Sequence, residues 1–182
     1  MDHESIEYIV KRKTEGKLLA IKILLASAYV LLFATLVILT VNLTVPLLHI
    51  PFILLATAFV ALTVFVTWRF TCIEYEIVIA AGEMTFTVIY GKGIRKRLCS
   101  VPVNSFGEIG IYDDGAYERL SRTSLQKNYL CISSLASPDL AYAVFNEGKD
   151  TAVVYFDANE RTLLALRRSN PSAYRKSVST QG

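Results

Sequence analysis

The side chains that most often carry acid–base or metal chemistry are few and scattered in this chain. Its two histidines, His3 and His49, stand on either side of a long apolar run, so one site is not expected to use both. The three cysteines, Cys72, Cys99 and Cys131, are widely spaced and form no Cys-x-x-Cys pair. That spacing offers neither a disulfide framework nor a zinc site. The cysteines are therefore predicted to be small apolar residues in a reducing compartment, and no metal site is predicted.

Two short patterns resemble pieces of catalytic motifs. Ser124-Leu125-Gln126-Lys127 has the Ser-x-x-Lys spacing that in some hydrolases puts a lysine one helical turn from a serine nucleophile. The companion motifs of those hydrolases are absent from the sequence. Gly91-Lys92-Gly93 lacks the long Gly-x4-Gly-Lys frame of a phosphate-binding loop, and it is predicted to join two strands rather than a strand and a helix. No enzyme class, catalytic residue or small-molecule substrate is therefore predicted.

Four carboxylates in one polar stretch suggest a cation site, and they are Glu108, Asp113, Asp114 and Glu118. Calcium takes about six or more oxygen ligands, usually from one tightly spaced loop. This stretch does not have that spacing. The prediction is a solvated acidic loop, and no cofactor is expected.

The charged residues are distributed unevenly along the chain, and this distribution indicates which elements position any site. From Ile23 to Trp68 there is no Asp, Glu, Lys or Arg. Such segregation is typical of membrane proteins, because a charge near the bilayer centre costs roughly 2.5–3.5 kcal/mol. The lipid bilayer is therefore the first predicted partner. The net charge of +3 is too small to indicate binding to nucleic acid, and none is predicted.

Two transmembrane helices are predicted, over residues 18–43 and 52–70, with a short external loop at 44–51. A helix needs about 20 residues to cross a hydrocarbon core near 30 Å thick, and both runs reach that length. Pro46 and Pro51 suit the break between the helices, and the short connection predicts an antiparallel hairpin. Two buried helices of a soluble protein are the alternative. Each of those would need a polar face, and neither run has one.

The basic residues around the spans predict their orientation. Because cytoplasmic segments are enriched in Lys and Arg and the connecting loop has neither, both termini are predicted to be cytoplasmic. The chain is then a multi-pass protein of the plasma membrane, with residues 1–17 as a basic cytoplasmic segment. Lys22, one turn inside the first span, is predicted to extend its ammonium back to the headgroups. The flanking basic residues are Lys11, Arg12, Lys13, Lys17 and Arg69.

After the second span the pattern changes to the two-residue period of half-buried strands. Glu74 and Glu76 are predicted to face away from the apolar residues that alternate with them. Turns at Ala81-Gly82 and Gly91-Lys92-Gly93 predict an antiparallel meander of three strands, the last near 94–101. Further strands are predicted near residues 106–112, 128–133, 140–146 and 151–157, with a loop or short helix at 113–127.

The chain ends with a predicted helix at 157–168, which closes a cytoplasmic domain spanning 71–168. Asp157 is predicted to cap this helix with Glu160 three residues later, and Leu163, Leu164 and Leu166 are predicted to form its buried side. A disordered tail is predicted at 169–182. The predicted fold class is an α+β membrane protein. A transmembrane helical hairpin precedes an antiparallel β-rich domain with a C-terminal helix. This order of elements is that of a pleckstrin-homology-like roll or barrel, and another small α+β roll would give a similar pattern.

Short motifs lie across nearly the whole chain, and they are Tyr8-Ile9-Val10-Lys11-Arg12-Lys13, Thr67-Trp68-Arg69, Glu74-Tyr75-Glu76-Ile77, Gly82-Glu83-Met84-Thr85-Phe86, Tyr90-Gly91, Tyr112-Asp113-Asp114, Ser137-Pro138-Asp139 and Asn170-Pro171. Together they resemble an uncharacterised family of small bacterial two-span membrane proteins. The segment after the spans is similar to bacterial pleckstrin-homology-like domains that follow paired membrane helices. The resemblance implies a bacterial membrane protein and brings no activity with it.

A basic membrane-facing surface is the one candidate site that the sequence predicts. The first strand should leave the membrane for roughly 27 Å and the second should return, so the basic turn after the second strand faces the bilayer. Basic residues near an anionic surface contribute about 1 kcal/mol each. An ordinary solvated hairpin is the alternative. The predicted lipid contacts are Lys11, Arg12, Lys13, Lys17, Trp68, Arg69, Lys92, Arg95, Lys96 and Arg97.

Three functions remain open from the sequence. The first is a non-enzymatic module in which the spans tether a β-domain that binds a protein partner or a copy of itself. The second is an accessory subunit of a membrane transport or secretion complex. The third is an enzyme that acts on lipids through the stretch 113–127, and it would need acid, base or nucleophilic groups that converge on one face.

Overall fold

The chain folds into two compact units, here in a computed structural model that describes residues 5–42 and 46–175. The hairpin unit comprises Thr14–Cys72 together with Tyr90–Lys92. The sheet unit comprises the rest of the described chain. The structure is α+β, with two long apolar helices followed by β-sheets and a C-terminal helix, as the sequence predicted.

The hairpin unit consists of α1 (Gly16–Val41) and α2 (His49–Arg69), with a short 3₁₀-helix at Pro46–Leu48 before α2. Pro51 lies in the first turn of α2, where its missing N–H removes no helical hydrogen bond. Residues 43–45, at the predicted end of the first span and in the predicted loop, lie outside the described residues. Both helices are long and apolar enough to cross a membrane.

Several hydroxyl groups within these helices bond to the backbone of their own helix. Thr35 Oγ1 donates to Leu31 O at 2.8 Å, and Thr63 Oγ1 donates to Phe59 O at 2.9 Å. Such bonds from a side chain to the preceding turn satisfy these hydroxyl groups without water. The hairpin therefore presents an apolar surface even where its sequence contains threonine.

The first sheet of the sheet unit has the order β1-β2-β3-β4. Its strands are β1 (Ile6–Lys11), β2 (Ile73–Ala80), β3 (Glu83–Tyr90) and β4 (Ile94–Pro102). The meander β2-β3-β4 matches the sequence prediction. The turn between β2 and β3 has two residues, Ala81 and Gly82, with φ of 51° and 78°. Positive φ at both positions is the backbone of a type I′ hairpin turn, whose twist suits paired strands.

Strand β1 lies in the segment that the sequence analysis described only as basic and cytoplasmic. It pairs antiparallel with β2, from Ile6 opposite Ile79 to Lys11 opposite Glu74. One further bond joins it to β8, and another joins the residues that follow β1 to those that follow β6. Tyr8 Oη donates to Asp157 O at 2.9 Å, and Lys13 N donates to Ser133 O at 2.8 Å. The residues before α1 are thus an integral strand of the domain that follows α2.

The second sheet has the order β6-β8-β7-β5-β9. It matches the four predicted strands and adds a two-residue strand, β9, at the end of the described residues. Neighbours β5, β7 and β8 are antiparallel, in agreement with the predicted antiparallel β-rich domain, whereas the edge strands differ: β6 runs parallel to β8 and β9 parallel to β5. The strands are β5 (Glu108–Ile111), β6 (Lys127–Cys131), β7 (Leu140–Glu147), β8 (Asp150–Asp157) and β9 (Tyr174–Arg175).

Aromatic side chains fill the core of the sheet unit. The rings of Phe86 and Phe156 lie 5.7 Å apart, and those of Phe106 and Phe145 lie 6.0 Å apart in an edge-on arrangement. Since Phe86 belongs to β3 and Phe156 to β8, the two sheets pack against each other through these rings. Phe86 and Phe156 are completely buried.

Two helices complete the sheet unit, and one of them begins differently from the prediction. The stretch predicted as a loop or short helix contains α3 (Asp114–Arg122), and α4 spans Glu160–Ser169. The N-cap of α4 is Asn159, whose Oδ1 accepts from Thr162 N at 2.8 Å. Asp157 is instead the last residue of β8. Leu166 is buried as predicted, but Leu164 is 45% exposed, because α4 turns that side chain toward solvent.

The predicted disorder of the tail was wrong for residues 170–175. Asn170 is buried, and its Nδ2 donates to Val103 O at 2.9 Å and to Phe106 O at 3.0 Å. Its Oδ1 accepts from Ala173 N at 3.2 Å. The amide thereby fixes the chain that continues into β9. Residues 176–182 lie outside the described residues.

We expect Asn170→Ala to lower the free energy of unfolding by about 2–4 kcal/mol, because it leaves buried carbonyl groups without donors. The full chain is unfolded with urea in mild detergent, and the circular dichroism signal of the β-sheets is used to monitor the transition. Ser172→Ala is the control, because it removes one partly exposed hydroxyl from the same turn and should cost at most about 1 kcal/mol. Equal effects of the two substitutions would contradict a structural role for the amide.

Candidate functional site

The ten residues predicted to contact lipid are divided between the two units. The hairpin unit holds Lys17, Trp68, Arg69 and Lys92. The other predicted contacts belong to the sheet unit, and they are Lys11, Arg12, Lys13, Arg95, Lys96 and Arg97. All ten are exposed except Arg69, which is partly buried.

The four residues of the hairpin unit lie at one end of it. Lys17 is in the first turn of α1, and Trp68 and Arg69 are in the last turn of α2. Lys22 Nζ donates to Thr14 Oγ1 at 2.8 Å and lies 5.9 Å from the centre of the Trp68 ring. Its ammonium thus reaches back toward the start of α1, as the sequence predicted. The contact with Trp68 also joins the two helices at this end.

The turn that carries Lys92 is fastened to the end of α2. Gly91 N donates to Cys72 O at 2.8 Å. Gly91 has a φ of +55°, and a Cβ at this position would lie 1.8 Å from Arg69 Cγ. Only glycine allows both the left-handed backbone and the passage of the arginine side chain. The turn therefore brings Lys92 beside Arg69.

A groove runs along one face of α2 at this end, and we call it the α2 groove. Its volume is about 690 Å³. Its walls are lined by Ala61, Val64, Phe65, Trp68, Arg69 and Lys92. The α2 residues recur at intervals of three and four, which is the spacing of one helix face. That spacing can be seen in the sequence. However, all faces of α2 are apolar, so the sequence does not indicate which face lines a groove.

In the sheet unit, two of the predicted basic contacts form ion pairs with β2. Arg95 Nη1 lies 3.3 Å from Glu76 Oε1, and Lys11 Nζ lies 3.9 Å from Glu74 Oε1. Glu76 was predicted only to face away from the apolar residues of β2, and it is 7% exposed, so that face of the strand is covered at this position. Arg95 accounts for this burial, since it supplies the opposite charge that a buried carboxylate needs. Arg95 therefore has a structural role in the first sheet.

The predicted acidic loop is a set of bonded groups around α3. Asp113 Oδ1 accepts from Ala116 N at 2.7 Å and caps the helix. Glu108 Oε1 accepts from Tyr142 Oη at 2.6 Å and from Arg119 Nε at 3.1 Å. Burial, and the bond to Glu108, raise the pKa of Tyr142 to about 12. These contacts hold α3 on the second sheet.

Ser124 and Lys127, the serine and lysine of the Ser-x-x-Lys pattern, contact different residues. Lys127 Nζ lies 3.0 Å from Glu147 Oε2 and 3.5 Å from Asp150 Oδ2. Ser124 Oγ accepts from Gln126 Nε2 at 3.3 Å. Within residues 5–42 and 46–175, no three side chains of the types His, Cys, Asp and Glu are grouped to hold a metal ion.

We expect Gly91→Ala to open the turn beside α2, because alanine would be strained at this φ and would displace Arg69. The strain of about 1–2 kcal/mol should raise trypsin cleavage after Lys92 about 5- to 30-fold when opening limits access. Gly82→Ala is the matched control. Gly82 also has a positive φ, of +78°, but nothing lies within 4 Å of an added Cβ. An equal increase in cleavage after Lys92 in both variants would contradict the proposed packing of Arg69 on Gly91.

Comparisons with known proteins agree with this architecture. No curated protein and no solved structure matched the chain. The model of one protein family, described as a bacterial PH-like domain (DUF6106), matches residues 4–176. The match includes β1, the helical hairpin and both sheets, so the family extends over the hairpin as well as the domain. The chain belongs to this family of bacterial PH-like domains.

Proposed function

We propose that the chain is a non-enzymatic integral membrane protein. Its hairpin crosses the bilayer and tethers the PH-like sheet unit to the cytoplasmic face, where that unit binds a protein partner or a second copy of the chain. The observation that carries the proposal is the pairing of β1 with β2, the strands that enter and leave the hairpin.

The apolar surface of the hairpin supports insertion. Leu24 is 69% exposed, Leu55 is 71% exposed and Phe65 is 69% exposed. Removing one such side chain from water is worth about 1.5–3 kcal/mol. Within α2, all of whose residues are described, none is buried. A bilayer would remove this whole surface from water.

The pairing of β1 with β2 supports a common side for both ends of the hairpin. Lys11 and Glu74 are directly opposite each other, so the chain enters and leaves the hairpin at neighbouring points. A chain held in this way must cross a bilayer an even number of times. The basic residues Lys11, Arg12, Lys13 and Lys17 before α1, and Arg69 at the end of α2, support the cytoplasmic side.

Two observations support a binding role without catalysis. Glu108, Asp113 and Lys127, the titratable groups nearest to a catalytic arrangement, are engaged in caps and ion pairs. Strand β6 lies at the edge of the second sheet, and Leu130 on it is 48% exposed. An edge strand with an exposed apolar residue is a template for pairing with another chain.

We expect membrane attachment of the chain to depend on the hairpin. Residues 13–72 are replaced by Asn-Gly, because Arg12 and Ile73 face each other at the end of the β1–β2 ladder, where Arg12 N donates to Ile73 O at 3.1 Å. Asn-Gly is the preferred two-residue turn of such a hairpin. The full chain should sediment with membranes and need detergent, whereas the variant should be soluble, monodisperse and rich in β-structure.

Residues 73–182 alone serve as the control for this experiment, because they lack both the hairpin and β1. That fragment should be less stable than the Asn-Gly variant, since it loses the β1–β2 ladder and the bond from Tyr8. A full chain that purifies from lysate without detergent as a monodisperse species would refute membrane tethering. A carboxyl terminus accessible from outside the cell would refute the orientation.

The basic surface of β4 is expected to bind anionic headgroups. Lys96→Glu with Arg97→Glu should weaken binding of the Asn-Gly variant to phosphatidylglycerol vesicles by about 30-fold or more, at about 1 kcal/mol per basic residue. Arg95 is left unchanged because it neutralises Glu76. Lys149→Glu with Arg161→Glu makes the same change in net charge at exposed positions outside β4. Vesicle sedimentation that falls equally for both pairs would show attraction by net charge alone.

A further inference from the structure

We infer that the α2 groove is a binding site for one anionic phospholipid of the bilayer, with the acyl chain along α2 and the phosphate between Arg69 and Lys92. This inference rests on the proposed insertion of the hairpin. It adds a defined lipid site to an otherwise general attraction between basic residues and headgroups.

The shape and polarity of the groove match one end of a phospholipid. Ala61, Val64 and Phe65 line its apolar part, and Trp68 follows one turn later. From residue 61 to residue 69 an α-helix rises about 12 Å, so the groove extends from the cationic end of the hairpin well into the depth of an acyl chain. Tryptophan is typical of the boundary between headgroups and hydrocarbon.

The charges of the groove are at the end where a phosphate would lie. Arg69 is partly buried, and its Nε is shielded from solvent without a hydrogen-bond acceptor among the described residues. A guanidinium that has lost hydration interacts more strongly with a nearby anion than an exposed one does. Its remaining N–H groups can make the paired bonds to phosphate oxygens that arginine favours.

Lys92 adds a second cation to the same end. It follows Gly91 in the turn and has a φ of 62°, a conformation that lysine rarely adopts. The bond from Gly91 N to Cys72 O holds this turn against the end of α2. The turn therefore keeps the ammonium of Lys92 beside the groove rather than leaving it on a free loop.

Trp68 provides a direct test because it is the only tryptophan in the chain and it lines the groove. The full chain is reconstituted in bilayers that contain phosphatidylcholine with a fraction of phosphatidylglycerol, and one of the two lipids carries brominated acyl chains. Bromine quenches tryptophan at short range, so the two quenching efficiencies give the local preference for the anionic lipid. One basic residue at the surface corresponds to about a fivefold preference, and two should give more.

The expected result is a preference for phosphatidylglycerol that disappears in Arg69→Gln with Lys92→Gln. Lys92→Gln alone, in an exposed turn that should fold normally, removes part of it. The matched control is Lys149→Gln with Arg161→Gln, which makes the same change in net charge at exposed positions outside the groove and should keep most of the preference.

Each other outcome overturns a distinct claim. If the preference for phosphatidylglycerol falls equally in the two double variants, the lipid is attracted by the general surface charge, and a site in the groove is refuted. No preference in the unchanged chain refutes it as well, while quenching by both lipids still supports insertion. Absence of quenching by either lipid shows that Trp68 does not reach hydrocarbon, and it refutes the proposed insertion together with the site.

Discussion

The ladder between β1 and β2 is the constraint on which the rest of the structure depends. It joins a strand that precedes the two long helices in the sequence to a strand that follows them, with Lys11 opposite Glu74 and Ile6 opposite Ile79. Forming a pair over so long a connection is not prohibitive, because each doubling of a flexible loop costs only about 0.6 kcal/mol. Here the connection is itself folded, since an antiparallel helix pair returns the chain to where it began. The hairpin is thus an insertion at the end of a β-hairpin, and the sheet and the helices each bring the ends of the other together.

Polar groups throughout the sheet unit are matched to specific partners. Glu76 lies under Arg95, Glu108 accepts from Tyr142 and Arg119, and the Asn170 amide bonds to backbone carbonyls and an N–H. Buried polar groups of this kind favour one arrangement, because any other leaves them unbonded. In the helices, threonine hydroxyl groups are bonded in a different way, because they donate to backbone carbonyl groups of the preceding turn. Many polar atoms of both units are therefore bonded within the unit, whereas Arg69 Nε is shielded from solvent without an acceptor among the described residues.

Much of the fold could be predicted from local patterns, and the errors have physical causes. The long apolar runs and the alternating strands were read correctly because their periodicity extends over many residues. Strand β1 was missed because six residues next to a basic cluster resemble a juxtamembrane segment, and only its partner sixty residues later makes it a strand. Strand β9 has just two residues and depends on Asn170.

The candidate site was predictable in its charges but not in its shape. The basic residues and Trp68 could be identified from composition, whereas the ion pair of Arg95 with Glu76 and the α2 groove depend on contacts between distant segments. The predicted cap of α4, Asp157, lies two residues before the residue that caps the helix, Asn159. Both side chains accept hydrogen bonds from backbone N–H groups, so sequence alone distinguishes them poorly.

The position of β1 also determines the order of events during synthesis. The ribosome releases β1 first, but its partner β2 emerges only after both apolar helices, on the order of ten seconds later at ordinary translation rates. During that interval the nascent strand has exposed backbone donors and an exposed Ile9, with Lys11, Arg12 and Lys13 next to them as charges that discourage aggregation. Completion of the first sheet therefore has to wait until both long helices have been synthesised. A chain that fails this step would keep an unpaired strand that quality-control proteases can recognise.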